Sequence, residues 1–170
     1  MLRAAGATLA LSGLLLAPAI AHAKTFIAPI TDPAGDSTVD ARDIISGRIA
    51  YNRKSGAMSA TVQVAADFAD EHDDAFVYAV ISDLVGGRCR KPVLTIGGQL
   101  SDPSAAMAAR EDQGPIYRGR GSLDGTTYKM RVKAKRLSGV TPGCAAIVIV
   151  GGGEQDPQIY DTTAEDSGFR

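Results

Sequence analysis

Residues 44–66 read I-I-S-G-R-I-A-Y-N-R-K-S-G-A-M-S-A-T-V-Q-V-A-A, and this stretch decides the fold class. Ile45, Gly47, Ile49 and Tyr51 fall on one face of an extended chain, and Ser46, Arg48 and Ala50 on the other. Met58, Ala60, Val62 and Val64 then alternate with Ser59, Thr61 and Gln63. Period-two alternation marks a strand with one buried face, and the short polar segment 52–56 between the runs predicts an antiparallel hairpin.

Working outward, the same pattern recurs. After an Asp124-Gly125 turn signal, Tyr128, Met130, Val132 and Ala134 alternate with Lys129, Arg131, Lys133 and Lys135. Residues 24–30 read as an edge strand or lead-in that Pro29 brings to an end. Residues 75–85 and 144–150 are almost wholly apolar, which predicts central strands covered on both faces. Residues 93–96 and 117–123 read as further short strands, with Gly86-Gly87 and Gly97-Gly98 as breaks. Residues 100–113 carry helix-favouring alanines behind Ser101, Asp102 and Pro103, and predict two or three helical turns at most. Ile159 and Tyr160 read as a final short edge. The expected fold is all-β, an antiparallel β-sandwich or jelly roll with one short helix at most, spanning residues 24–160 and followed by a flexible tail at 161–170.

Residues 1–23 read as a signal peptide. Arg3 supplies a minimal basic region, an apolar run holds Leu9, Leu11, Leu14, Leu15 and Leu16, and Ala21-His22-Ala23 offers a small-x-small cleavage site. An uncleaved anchor is the rival reading, but the apolar run is short for a span. No second apolar run is long enough to cross a bilayer, so the expected location is secreted or periplasmic, at the cell envelope. In that oxidising setting the chain's two cysteines, Cys89 and Cys144, read as a disulfide. The alternatives are buried or reactive free thiols. Closing a loop of about 56 residues contributes about 4 kcal/mol in the chain-entropy picture. The formal charge of −1 lacks the basic excess of a nucleic-acid binder.

The acidic segment 30–51 opens I-T-D-P-A-G-D-S-T-V-D-A-R-D-I-I. Asp32, Asp36, Asp40 and Asp43 can hold a turn through backbone N–H groups. They can equally supply oxygen ligands to Ca2+, with a tail carboxylate such as Asp156 completing the shell. The EF-hand spacing is absent. A second acidic run, Asp67, Asp70, Glu71, Asp73 and Asp74 with His72, reads as a solvated loop or a weaker ion site. Lys129, Arg131, Lys133 and Lys135 form a cationic stripe with about 7 Å between neighbours. It can contact an anionic polymer or lipid, or guard an edge strand against pairing.

The D-P-A-G-D-S-T-V-D-A-R-D-I-I segment and the two strands after it resemble the start of bacterial DOMON-like or family-9 carbohydrate-module-like β-sandwich domains, over residues 32–64. The resemblance implies a structural Ca2+ with Asp32 and Asp36 as first ligands, Asp40 or Asp43 adding to them, and a sugar or haem as cargo. The chain departs from binding members in having no Trp, and the only His beyond residue 23 is His72. No nucleophile signature such as G-x-S-x-G is present, and no motif selects a carboxylate pair. The functional expectation is a non-catalytic recognition or accessory domain that is calcium-stabilised and takes an extracellular glycan, envelope polymer or protein as partner. A small secreted hydrolase using carboxylates and a purely structural envelope protein are the alternatives.

Overall fold

The computed structural model describes residues 24–37, 39–68, 75–112, 114–151, 158–163 and 169. The signal-peptide reading, His72 with Asp70, Glu71, Asp73 and Asp74, and Asp156 lie outside these. Ten strands form one antiparallel sheet: β1 Thr25–Thr31, β2 Ile44–Asn52, β3 Ala57–Val64, β4 Phe76–Val85, β5 Arg88–Gln99, β6 Ala105–Arg110, β7 Ile116–Asp124, β8 Thr127–Lys133, β9 Cys144–Gly151 and β10 Gln158–Thr162. Their order across the sheet is β1-β2-β3-β8-β7-β6-β5-β4-β9-β10. The sheet curls into a sandwich-like half-barrel, so that β1 and β2 near one edge come to face β9 near the other.

Alternation fills the interior. Ile49 and Tyr51 of β2, Met58, Ala60, Val62 and Val64 of β3, and Tyr128, Met130 and Val132 of β8 are all buried. The expected β2–β3 hairpin pairs Tyr51 with Met58 and Asn52 with Ala57. One register detail differs. A bulge between Ile44 and Ser46 turns Ile44 inward in place of Ile45, because the extra residue of a bulge reverses the alternation beyond it.

Three further expectations are corrected. Among the described residues of 100–113 there is no helix; a turn leads into strand β6, paired with β5 and β7. Ala106 and Ala108 are buried there while Met107 is exposed, so two flanking ladders override the helix propensity of alanine. Gly97-Gly98 does not break β5. The Tyr78 ring lies over Gly97, its cross-strand partner, where a Cβ would stand 2.4 Å from the ring. Strands β4 and β9 are internal as expected, yet Phe76, Tyr78, Val80, Val148 and Val150 on their outer face are only half-buried. The apolar run reflects an apolar exterior, not a second covering layer.

The disulfide forms as read, Cys89 to Cys144 with Cα atoms 5.8 Å apart. It ties the tip of the β4–β5 hairpin to the start of β9. At the opposite edge β10 carries the chain through Thr162, and Thr163 extends the pairing by bonding both the N–H and the carbonyl of Ile147.

Antiparallel connectivity sends alternate loops to opposite ends, and here it sorts charge. One end carries Asp32, Asp36, Asp40, Asp43, Asp67, Asp102 and Asp124, with Arg42 buried among them. The other carries Arg53 and Lys54 in the β2–β3 turn, Arg88, Arg90 and Lys91 at the start of β5, and Lys135 and Arg136 between β8 and β9. The acids there are Asp83, Glu111 and Asp112, and Asp112 is paired to Arg110 at 2.6 Å.

The Tyr128 phenol donates to the Ala105 carbonyl at 3.1 Å, and burial with the nearby Asp102 charge pushes its pKa up to about 12. A phenol at its ordinary value of about 10 in the unfolded chain ionises first there, so stability is intact below pH 10 and falls from about pH 10 to 12. Ultraviolet titration is expected to show one tyrosine ionising only as the fold is lost. Its titration near pH 10 with the fold intact would contradict this packing.

Candidate metal centre

The acidic segment enters its end of the sheet as β1 finishes. The Asp32 N–H donates to the Ile45 carbonyl at 3.3 Å, which ties the first turn to β2. Gly35 takes a φ of +91°, a conformation that favours glycine, and its N–H donates to Asp43 Oδ2 at 2.6 Å. Residues Asp40–Arg42 form one 3-10 turn. The N–H groups of Ala65 and Ala66 then donate to the carbonyls of Asp43 and Asp40. Asp43 is therefore a turn-holding aspartate through one oxygen. It is only 1% exposed, and its Oδ1 is buried with no hydrogen-bond partner among the described residues.

The decisive neighbour comes from the other end of the chain. Asp161 on β10 is 7% exposed, and its Oδ2 accepts the Ile44 N–H at 2.6 Å while Oδ1 accepts the N–H of Thr162. Asp32, Asp36 and Asp161 each present one carboxylate oxygen, and these atoms lie within 4.8 Å of one another. Two oxygens on one Ca2+, each at about 2.4 Å, can be no more than about 4.8 Å apart, so the trio can coordinate a single divalent cation such as Ca2+. A carboxylate oxygen that accepts one N–H keeps a lone pair for a metal.

The electrostatics agree. Burial pushes the Asp161 carboxyl above its ordinary value; the N–H groups of Ile44 and Thr162 pull it down, and the Asp36 and Asp43 carboxylates push it up again. Asp161 is buried, Asp32 half-buried and Asp36 exposed, and carboxylates that converge in this way repel one another; a divalent cation would supply a counter-charge. Arg42 is fully buried at the same pole, with its guanidinium 5.9 Å from the Phe68 ring centre and donating to the Ala41 carbonyl.

Of the four aspartates singled out from sequence, Asp32 and Asp36 come together and Asp43 borders them. Asp40 is exposed on its 3-10 turn and stands outside the trio. Asp161 was missed, although a tail carboxylate was sought. Its signal is weak in sequence because 117 residues separate it from Ile44.

The cationic stripe is also redrawn. Lys129, Arg131 and Lys133 are exposed on the outer face of β8. Lys135 lies beyond the strand in a 3-10 turn and donates to the Lys54 carbonyl. Strand β8 sits between β3 and β7, so the edge-guard reading is wrong: its backbone groups are already paired on both sides. Arg48 of β2 and Arg118 and Arg120 of β7 are exposed on the same face, and Arg120 stands directly opposite Arg131. Arg48, Arg131 and Lys133 border a shallow cavity of about 420 Å3 floored by Ala50, Ala57 and Ser59.

The chain matches no protein-family model, no curated protein and no solved structure. The likeness over residues 32–64 is thus supported as a generic sandwich or jelly-roll architecture, not as a named family.

Ca2+ at about 100 times its dissociation constant is expected to stabilise the fold by about 2.7 kcal/mol, a melting shift of roughly 5–10 °C. Thermal unfolding in chelator and then in Ca2+ measures it. Asp36→Asn should abolish most of the shift and Asp40→Asn should leave it intact. Equal shifts in both variants would remove the trio as the site.

Proposed function

We propose that this chain is an exported, non-catalytic recognition domain of the cell envelope, stabilised by Ca2+ at its acidic pole, that binds an anionic glycan or surface polymer on the cationic face of β2, β3, β8 and β7. The observation that carries this reading is the facing pair Arg120 and Arg131, with Lys129, Lys133, Arg48 and Arg118 around it. Like charges directly opposite in a ladder cost stability. On an internal strand they do not serve to block edge pairing. A polyanion laid across the face supplies the missing counter-charge and finds a floor of small side chains beside it.

The hydrolase alternative has less support. Carboxylates do converge, and one is raised, but Asp161 is buried with both oxygens engaged by backbone N–H groups. That places it badly for giving a proton to a substrate. Among the described residues no helix is long and apolar enough to cross a membrane. The resemblance to sugar-binding modules adds a reason to test glycans first, and the half-buried Phe76–Tyr78 pair, with ring centres 6.0 Å apart, offers aromatic surface for one.

Retention on an immobilised sulfated polysaccharide tests the cationic face. The wild-type protein is expected to be retained in a salt-dependent manner. Arg131→Glu with Lys133→Glu should lower affinity by about ten-fold or more with the melting temperature little changed. Equal retention of that variant, or none of the wild type at low salt, would contradict the reading.

A further inference from the structure

The β4–β5 hairpin at the basic end has features that a soluble polymer leaves unexplained. Its turn is Gly86-Gly87, with φ of +61° and +76°, the two-residue arrangement that matches strand twist. A Cβ built on either glycine meets nothing within 4 Å, so the tip projects into open space. Leu84 and Val85 stand just below the turn, 46% and 51% exposed. Arg88, Arg90 and Lys91 follow on the returning strand, all exposed. Of the acids near it, Asp83 accepts the Lys91 N–H at 2.8 Å, and Glu111 and Asp112 line a cavity with Lys91, Asp112 being paired to Arg110. The disulfide anchors this tip at Cys89 to the start of β9.

We infer that this hairpin docks the protein on an anionic lipid surface, with Leu84 and Val85 entering the headgroup layer and Arg88, Arg90 and Lys91 engaging lipid phosphates. The inference rests on the cationic-recognition reading above and names the surface as a lipid one. A projecting aliphatic pair costs exposure in water and gains nothing from a hydrated polyanion, whereas a bilayer takes up both the apolar tip and the cations. Charge complementarity points the same way. Two of the other three connections at this end carry Arg53, Lys54, Lys135 and Arg136, and the third carries Glu111 with Asp112, the latter paired to Arg110; the surplus is cationic, so this pole faces the lipid and the acidic pole faces away. The disulfide holds the tip in its docked shape, which spares the ordering cost of a mobile loop.

Flotation of the purified protein with phosphatidylglycerol/phosphatidylcholine vesicles, beside pure phosphatidylcholine vesicles and the sulfated polysaccharide, tests this. Binding to the anionic vesicles alone among the two is expected. Each basic residue near an anionic surface is worth about a five-fold change in partition, so Arg88→Glu with Arg90→Glu should weaken vesicle binding by at least ten-fold. Leu84→Ser with Val85→Ser should weaken it by a similar factor while leaving polysaccharide binding unchanged. The chain contains no Trp, so Leu84→Trp gives a single tryptophan that can be excited apart from the tyrosines, and its spectrum should shift to the blue on the anionic vesicles. Vesicle binding unaffected by the Leu84/Val85 change, or no blue shift, would overturn the lipid inference and leave the polymer reading standing. Equal binding to neutral vesicles would also overturn it. Failure to bind either vesicles or polysaccharide would remove both.

Discussion

The hydrogen bond from the Ile44 N–H to Asp161 Oδ2, 2.6 Å long, joins the second strand to the last across the open side of the sheet. A ten-stranded ladder has two edges, and each exposes unpaired backbone groups. Here curling brings β1 and β2 over β9, and a side chain completes the approach where no further ladder forms. Gly47 makes room for it: a Cβ there would lie 2.1 Å from Ile147 Cδ1. The bulge after Ile44 follows from the same need, since it places Ile44 in the interior with its N–H aimed at Asp161. The acceptor is a buried carboxylate, and Asp32 and Asp36 present oxygens within 4.8 Å of it, so the seam runs through the place where a divalent cation can be coordinated.

Much of the fold is legible from period two. Apart from the bulge that exchanges Ile45 for Ile44, the faces of the β2–β3 hairpin and β8 are legible because each buries one face only, and the two apolar runs mark β4 and β9 as internal. Residues 105–110 were not legible. Alanine favours helix locally, and only the ladders of β5 and β7 on either side make a strand of them. Gly97 looked like a break because its function is to lie beneath the Tyr78 ring, a contact with a different strand. The candidate site was half legible. Asp32 and Asp36 declared themselves by their loop. Asp161 could not, because its place is fixed by the sheet closing and not by any local spacing.

The separation of charge between the two ends arises from topology. The near-neutral composition hides it, since a formal charge of −1 is compatible with any arrangement. Once alternate loops are assigned to opposite ends, one pole becomes carboxylate-rich and the other cationic. The acidic pole can take a divalent ion through Asp32, Asp36 and Asp161, and the other pole carries a cationic surplus. The cations of β8 and β7 run along the outer face between them. A molecule so polarised turns its basic pole toward an anionic surface before contact.

Amide hydrogen exchange tests the closure most directly, comparing the wild type with Asp161→Ala in chelator. Loss of the acceptor leaves the buried Ile44 N–H without a partner, which costs about 1–3 kcal/mol at that place. In the wild type the Ile44 and Ile147 amides are expected to exchange only on opening that approaches global unfolding. In the variant these two should lose protection while the amides of the β3–β8 ladder keep theirs. Equal protection at Ile44 in both proteins would show that the sheet closes without Asp161. A uniform loss across all strands would show that the seam is not a distinct, locally opening unit.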